Sequence, residues 1–401
     1  MSAISLLSWL ALAAMLVPLA YLVALALASV PSPRARKVAE RPSHRFAIAI
    51  PAHDEESVIG DTVRRLRQLD YPSDLFDVHV VADHCSDQTA ELVRAAGGVA
   101  HERTDGPRTG KGGALGWLFG RILADQAFDA VVVFDSDTRV DREFLRVMDG
   151  RLATGDQVIQ GQHVISNPSH GWFPALTWAM FLIDNRFSNL GRVNLGLSAK
   201  NMGDSICFRA DILRRIGWGQ GLTEDYQLRQ RLLLEGTRIA YEPRAIGRGE
   251  AALTWTQARA QRARWLRGTR DASREYAKHL FAEGIRRLNP ALLDGAIQAY
   301  FPSYSTLSLI AMVLLVAQLA ARSLGAAFPP SVLVSWTGLV GILFAYPLFG
   351  LALEKAPVRA YLVILSGPIF ILWRSWLAFQ SRRAKRQVVW VRTAHGDASA
   401  R

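Results

Sequence analysis

The sequence predicts an α/β domain with a mostly parallel sheet, joined to transmembrane α-helices. Three observations predict it. Short apolar runs alternate with helical patterns between residues 46 and 134, the pattern of strands in a parallel sheet with helices on its faces. Acidic residues recur where those runs end. Residues 1–33, 295–321 and 323–353 carry no Asp, Glu, Lys or Arg, and each stretch exceeds the roughly 20 residues needed to cross a bilayer core.

The strands are expected at residues 46–50, 78–82, 99–102 and 131–134, and the helices at 57–69, 88–96 and 111–125. Asp54 and Glu55 follow the first strand, Asp83 ends the second, and Asp135 and Asp137 follow the last. All therefore fall at the carboxyl ends of parallel strands, where open α/β sheets bind ligands.

Residues 1–33 read as a membrane anchor rather than a cleaved signal peptide. They lack a basic n-region, and the apolar run is long for an h-region. Arg34, Arg36 and Lys37 follow directly, and the positive-inside rule puts them in the cytosol. The domain at 44–274 is then cytosolic, followed by interfacial helices at 275–298 and transmembrane helices at 299–322 and 329–353. Pro329-Pro330 marks the turn before the last of these. Residues 358–380 either span or form a re-entrant or interfacial segment, since Gly367-Pro368 interrupts them. In the non-spanning case the basic tail at 381–401 stays inside, as the charge rule prefers. The expected location is the inner (plasma) membrane, with several passes.

The net charge of +12 suits a cytosolic face held against anionic lipid, and also acidic donor phosphates. No nucleic-acid partner is expected, because acids at three strand ends repel a polyanion. Cys85 and Cys207 are the only cysteines, so no disulfide framework is implied. The oligomeric state is not legible.

Four motifs carry chemistry. Asp135-Ser136-Asp137 offers two hard oxygen ligands suited to Mg²⁺ or Mn²⁺, and such an ion neutralises a leaving diphosphate. Gly110-Lys111-Gly112-Gly113 opens a helix, where backbone N–H groups and the helix dipole favour a phosphate; the alternative is a turn with a solvated lysine. A P-loop is excluded, because Gly112 stands where Ser or Thr is needed and Asp105 where a glycine is needed. Thr223-Glu224-Asp225 is either an N-cap with first-turn acids or the source of a base that deprotonates an acceptor hydroxyl. Gln261, Arg264 and Trp265 share one helix face, which either holds a diphosphate and borders a sugar or rests on the membrane.

Together these segments resemble the family 2 inverting glycosyltransferases of GT-A fold, in the branch of cellulose and hyaluronan synthases and ceramide glucosyltransferases. The motifs are Pro51-Ala52-His53-Asp54-Glu55-Glu56, Ala82-Asp83, Gly110-Lys111-Gly112, Asp135-Ser136-Asp137, Thr223-Glu224-Asp225 and Gln261-x-x-Arg264-Trp265. His53-Asp54 stands where such proteins usually carry an aromatic residue and Asn.

The resemblance implies that Asp54, Glu55 and Asp83 contact the nucleoside, expected as uridine, and that Lys111 faces the diphosphate. It implies Asp137 as the principal metal ligand, with Asp135 beside it near the donor sugar or ribose. Asp225 becomes the general base, with Glu224 beside it, and Gln261 and Arg264 hold the diphosphate. Trp265 borders the acceptor. Asp204 lies near the expected acceptor site, there to touch an acceptor hydroxyl or amine or simply to be solvated. Gln160 and His163 are given no role.

The implied activity is metal-dependent, inverting hexosyl transfer from a nucleotide-sugar donor. The acceptor is a growing exopolysaccharide or, alternatively, a membrane lipid. A non-catalytic, membrane-tethered nucleotide-binding protein is the remote alternative.

Overall fold

A computed structural model describes residues 3–31, 41–219, 221–325 and 329–383. The strands are β1 (Phe46–Ala52), β2 (Phe76–Asp83), β3 (Val99–Arg103), β4 (Ala130–Val133), β5 (Arg139–Val140), β6 (Val158–Ile165), β7 (Ile206–Arg209) and β8 (Ile239–Gly249). They form one sheet of order β3-β2-β1-β4-β7-β6-β8-β5. β3, β2, β1 and β4 pair in parallel. β7 is antiparallel to both its neighbours, β6 pairs with β8 in parallel, and β5 closes the edge antiparallel. The sheet is therefore mostly parallel, with β5 and β7 opposed.

The predicted strands fall within β1, β2, β3 and the end of β4. The predicted helices are present as Ile59–Leu66, Thr89–Ala95 and Lys111–Ile122. Central strands are buried on both faces, which is why they read as continuous apolar runs. Alternate residues serve opposite layers. Ala47, Ala49, Val131 and Val133 pack with Leu115 and Leu118, while Phe46, Ile48, Ile50 and Val132 pack with Ile59, Val63 and Met148.

Among the described residues, three helices are long and apolar enough to cross a membrane: Ile4–Ala28, Tyr304–Ser323 and Pro330–Leu353. Leu12, Met15 and Leu19 of the first pack with Leu307, Ala311, Val332 and Trp336 of the others. Ser8 donates to Gln318 Oε1 at 3.0 Å and accepts from Trp336 Nε1 at 3.0 Å, so these polar groups are satisfied inside the bundle. Helices Val358–Leu365 and Gly367–Leu377 form a further pair, bent by 51° at the Gly367-Pro368 interruption. Arg34, Arg36, Lys37 and the tail beyond Arg383 lie outside the described residues.

No break falls at residue 274. One 32-residue helix, Trp255–Arg286, carries Gln261, Arg264 and Trp265 and runs straight on. Thr254 and Gln257 form a reciprocal capping box at its start. Asn289 caps the next helix, Pro290–Tyr300, with Pro290 in its first turn.

Two contacts tie these parts to the helix Glu224–Leu234. In the first, Asp294 is 3% exposed and accepts from Tyr21 Oη at 2.6 Å, Arg192 Nε at 3.2 Å, Arg229 at 3.4 Å and Gln298 Nε2 at 2.6 Å. One carboxylate thus links the apolar helix Ile4–Ala28, the segment at Arg192 and the helix that begins with Glu224. In the second, Gly268 seats the long helix on Thr223: a Cβ there would lie 2.5 Å from Thr223 Oγ1 and 2.9 Å from its nitrogen.

Asp294→Ala leaves Arg192 and Arg229 buried without their shared counter-charge. It is expected to destabilise the protein by about 3–5 kcal/mol, read as a lower thermal midpoint of the detergent-solubilised full chain. Gly268→Ala is expected to destabilise as well: the ~1 kcal/mol gained in helix propensity is outweighed by roughly 1–3 kcal/mol of overpacking. An unchanged or raised midpoint would contradict the close contact.

Candidate active site

A cleft of about 250 Å³ opens at the carboxyl ends of β1, β2 and β4. Of the residues singled out in the sequence, Glu55, Asp83, Lys111, Asp135, Asp137, Asp204, Glu224, Asp225, Gln261, Arg264 and Trp265 all line it. Asp54 does not. Its backbone is left-handed (φ 53°), and its carboxylate accepts from Ser86 N–H at 2.7 Å, pinning the loop after β1 to the loop after β2.

The wall begins with Asp83, whose carboxylate is 5% exposed and pairs with Arg103 at 3.1 Å and His84 Nδ1 at 3.0 Å. Gly110 precedes the helix Lys111–Ile122 with φ 81°, a conformation that glycine adopts without strain. Lys111 Nζ then reaches Asp135 Oδ1 and the Gly203 carbonyl. Burial alone would lower the Lys111 pKa, but Asp135 and Glu224 together hold it above the usual lysine value. Lys111 is therefore a paired cation and not a solvated turn residue.

Asp204 departs from its expected place as an acceptor contact or solvated carboxylate. It is 1% exposed, and both its oxygens are occupied within the protein. Oδ1 accepts from Asp135 N–H at 3.1 Å and Thr138 Oγ1 at 3.0 Å, and Oδ2 accepts from Ser205 Oγ at 3.1 Å. His163 Nδ1 lies 2.6 Å from Oδ2. Burial would raise the Asp204 pKa, yet the His163 hydrogen bond and charge hold it below the usual carboxylate range. Burial likewise disfavours the His163 cation, and Asp204 more than reverses this. The pair braces the Asp135-Ser136-Asp137 turn from below.

Sequence reading passed over His163, and nothing in its spacing marks it. Glu250 was missed for the same reason: it follows β8, lines the cleft and donates its N–H to Asp137 Oδ2 at 3.3 Å. Gln160 is a fully buried, satisfied residue, donating to the Gly161 and Asp204 carbonyls and accepting from Met202 N–H.

Thr223 occupies the N-cap position of Glu224–Leu234, but its hydroxyl makes no capping bond. The side-chain capping reading is therefore corrected: Thr223 is wedged against the Gly268 backbone instead. Gly112 lets the lysine loop approach as closely, since a Cβ there would lie 2.8 Å from Gly219 O and 3.1 Å from Glu224 Cβ. Burial raises the Glu224 pKa to about 7, with Asp225 adding to the rise. Burial raises Asp225 too. An adjacent, half-buried pair of acids, both with raised pKa, is the kind of group that exchanges protons with a substrate.

Asp135 and Asp137 present carboxylate oxygens to the cleft without a closed protein cage around them. That donor set fits a hard divalent ion that completes its shell with phosphate oxygens and water. Among the described residues, the three-residue grouping with ligand-type atoms close together is His53, Asp54 and Cys85. Its atoms are drawn together by loop hydrogen bonds: His53 Nδ1 with the Asp83 carbonyl at 2.7 Å, and Asp54 N–H with Cys85 Sγ at 3.4 Å.

The far wall is apolar. Thr177 and Phe181, from the helix Trp172–Asp184, line the cleft beside Ile165, Met202 and Trp265. The same helix packs through Phe173 and Leu176 on Phe370 and Ile364 of the bent pair, and Trp172 Nε1 donates to Ser366 Oγ at 2.7 Å.

Comparison with known proteins agrees with this geometry. Residues 42–268 match the family described as "Glycosyltransferase like family 2". A probable glycosyltransferase, YdaM, of Bacillus subtilis is 25% identical over 252 residues, 61% of this chain and 60% of that protein. The beta-monoglucosyldiacylglycerol synthase of Synechocystis sp. is 27% identical over 234 residues, 57% of this chain and 48% of that protein. The chain thus matches about half to three fifths of the length of these curated relatives. The mannosyltransferase PcManGT from Pyrobaculum calidifontis, solved with GDP-Man and Mn²⁺, superposes with a TM-score of 0.57 at 18% identity. That match covers 87% of this chain and 97% of that one, and it shows the fold, GT-A. With more than half its length matched by the family, and with the family's fold, this chain belongs to glycosyltransferase-like family 2.

Proposed function

We propose that this protein transfers a hexose from a nucleotide-sugar, with inversion at the anomeric carbon, to a hydroxyl of a membrane lipid. One observation carries the choice of acceptor: the cleft wall beyond Trp265 is the helix Trp172–Asp184, which itself rests on the bent pair that follows the transmembrane helices. An acceptor reaching that wall approaches from the membrane side. The Synechocystis relative, whose printed name is that of a glucosyldiacylglycerol synthase, supports a lipid acceptor. The catalytic domain faces the cytosol in this reading, where nucleotide-sugars are made.

Each group has a task. Glu55 and Asp83 bind the nucleoside end of the cleft, with Asp54 acting through the loop it pins. Asp137 and Asp135 hold Mg²⁺ or Mn²⁺, which neutralises the departing diphosphate when bound. Lys111, Gln261 and Arg264 supply positive charge and donors to the same diphosphate. Asp225 takes the acceptor proton; burial raises the pKa of its carboxyl and so makes it a stronger base, and Glu224 lies beside it. Trp265 borders the acceptor.

The test is release of nucleoside diphosphate by the purified full chain in lipid vesicles, across UDP- and GDP-sugars with Mg²⁺ or Mn²⁺, with products sized by mass spectrometry. A single lipid-linked sugar is expected. A ladder of products would establish the polysaccharide reading instead, and no release from any donor would count against transfer. Asp225→Asn is expected to lower transfer by about 10²–10⁴-fold while sparing metal-dependent donor binding, whereas Asp137→Ala should lose that binding. Equal donor loss in both would contradict the division of roles. The acid limb of the transfer rate is expected to rise with pH through about 7, where Glu224 sheds its proton. Glu224→Gln removes one of the two neighbouring charges and should move that limb to lower pH; an unmoved limb would remove Glu224 from the pair.

A further inference from the structure

Two arginines meet between the helix Trp255–Arg286 and the bent pair. Arg262 is 8% exposed, and its Nε has no hydrogen-bond partner among the described residues. Its polar contact is a 3.5 Å approach to Thr177 Oγ1. The guanidinium is boxed by Phe370 at 5.1 Å, Phe173 at 5.5 Å and Trp265 at 5.5 Å. Arg374 lies one helical turn beyond Phe370 and donates to Ser305 Oγ at 2.9 Å. Among the described residues, neither arginine forms an ion pair with a carboxylate.

Such an arrangement is incomplete. Burial lowers the Arg262 pKa to about 10, and the neighbouring Arg374 charge pushes it the same way. Three aromatic faces offset part of the burial cost, but they do nothing for the repulsion between two cations withdrawn from water. An anion between them would answer both. Ser303 caps the helix Tyr304–Ser323 at the same place, and the start of a long helix also favours negative charge. The surroundings match the headgroup level of a bilayer: Trp255 (53% exposed) and Trp376 (52% exposed) flank a cluster that includes Trp172 and Trp373, the composition of an interfacial aromatic belt.

We propose that Arg262 and Arg374 together seat the phosphate of a membrane lipid beside the acceptor end of the cleft. Thr177 and Trp265 both touch Arg262 and both line the cleft, so a lipid held there is within reach of the proposed transfer site. This assignment extends the lipid-acceptor reading, but its test needs no turnover.

The test is native mass spectrometry of the detergent-purified full chain with phosphatidylglycerol or with diacylglycerol of the same acyl chains. The wild type is expected to retain phosphatidylglycerol in preference by on the order of tenfold or more, as charge-assisted hydrogen bonds to phosphate warrant. Arg262→Gln combined with Arg374→Gln should abolish the preference, and Arg274→Gln, on an exposed face of the same long helix, should leave it intact. Equal retention of the two lipids by the wild type, or an undiminished preference in the double variant, would overturn the proposal. Millimolar inorganic phosphate should not displace the lipid; displacement would assign the seat to a free anion and overturn the lipid assignment. If the double variant fails to fold, the wild-type unfolding midpoint decides: phosphatidylglycerol should raise it and diacylglycerol should not, and equal shifts would reject the seat. Nucleoside diphosphate release is measured separately, so failure of the lipid seat and failure of the transferase reading are told apart.

Discussion

The buried carboxylate of Asp294 is the constraint on which the relation between membrane and chemistry depends. It is the shared acceptor for Tyr21 on the apolar helix Ile4–Ala28, Arg192 ahead of β7, and Arg229 on the helix that begins with Glu224 and Asp225. Two buried guanidiniums around one carboxylate are tolerated because Tyr21, Gln298 and backbone carbonyls supply most of the remaining hydrogen bonds, Arg229 Nη1 excepted. A network of this kind has little freedom to slide, so the acid pair sits at a set position relative to the apolar helix Ile4–Ala28.

Within the cleft the same logic repeats on a smaller scale. Acids brought together at strand ends repel one another unless cations or hydrogen bonds intervene. Lys111 answers Asp135, Arg103 answers Asp83, and His163 with Thr138 and Ser205 answers Asp204. Asp137 and the Glu224–Asp225 pair also face the cleft. Their environments differ. Asp137 lies beside the Glu250 N–H, whereas burial raises the pKa of both acids of the pair, and Asp225 adds to the rise at Glu224.

Close backbone approach sets the distances. Gly112, Gly203 and Gly268 bring the lysine loop, the segment before β7 and the long helix onto Thr223-Glu224-Asp225 at separations that leave no room for a Cβ or crowd it tightly. The long helix is therefore both a wall of the site and the strut that carries Arg262 into its aromatic box. Arg262 and Arg264 show how one helix serves both. Two residues apart, they point to different faces, Arg264 into the cleft and Arg262 into the aromatic box.

Much of this was legible in the chain itself. Apolar runs at 46–50, 78–82 and 131–134 marked the parallel strands, because a strand buried on both faces must be continuously apolar. The acids at their ends marked the rim, and the uncharged stretches marked three membrane-length helices. These are local properties, carried by neighbours in sequence. What only the tertiary structure decided depends on residues far apart. Asp204 turns inward because His163 of β6 and Asp135 and Thr138 of the turn after β4 converge on it. Thr223 gives up its cap to make room for Gly268, and Asp54 pins a loop instead of lining the cleft. Nothing in the local sequence marks Asp294 or Arg262. Their burial, and the partners one has and the other lacks, arise only when distant helices meet, and no spacing along the chain encodes that.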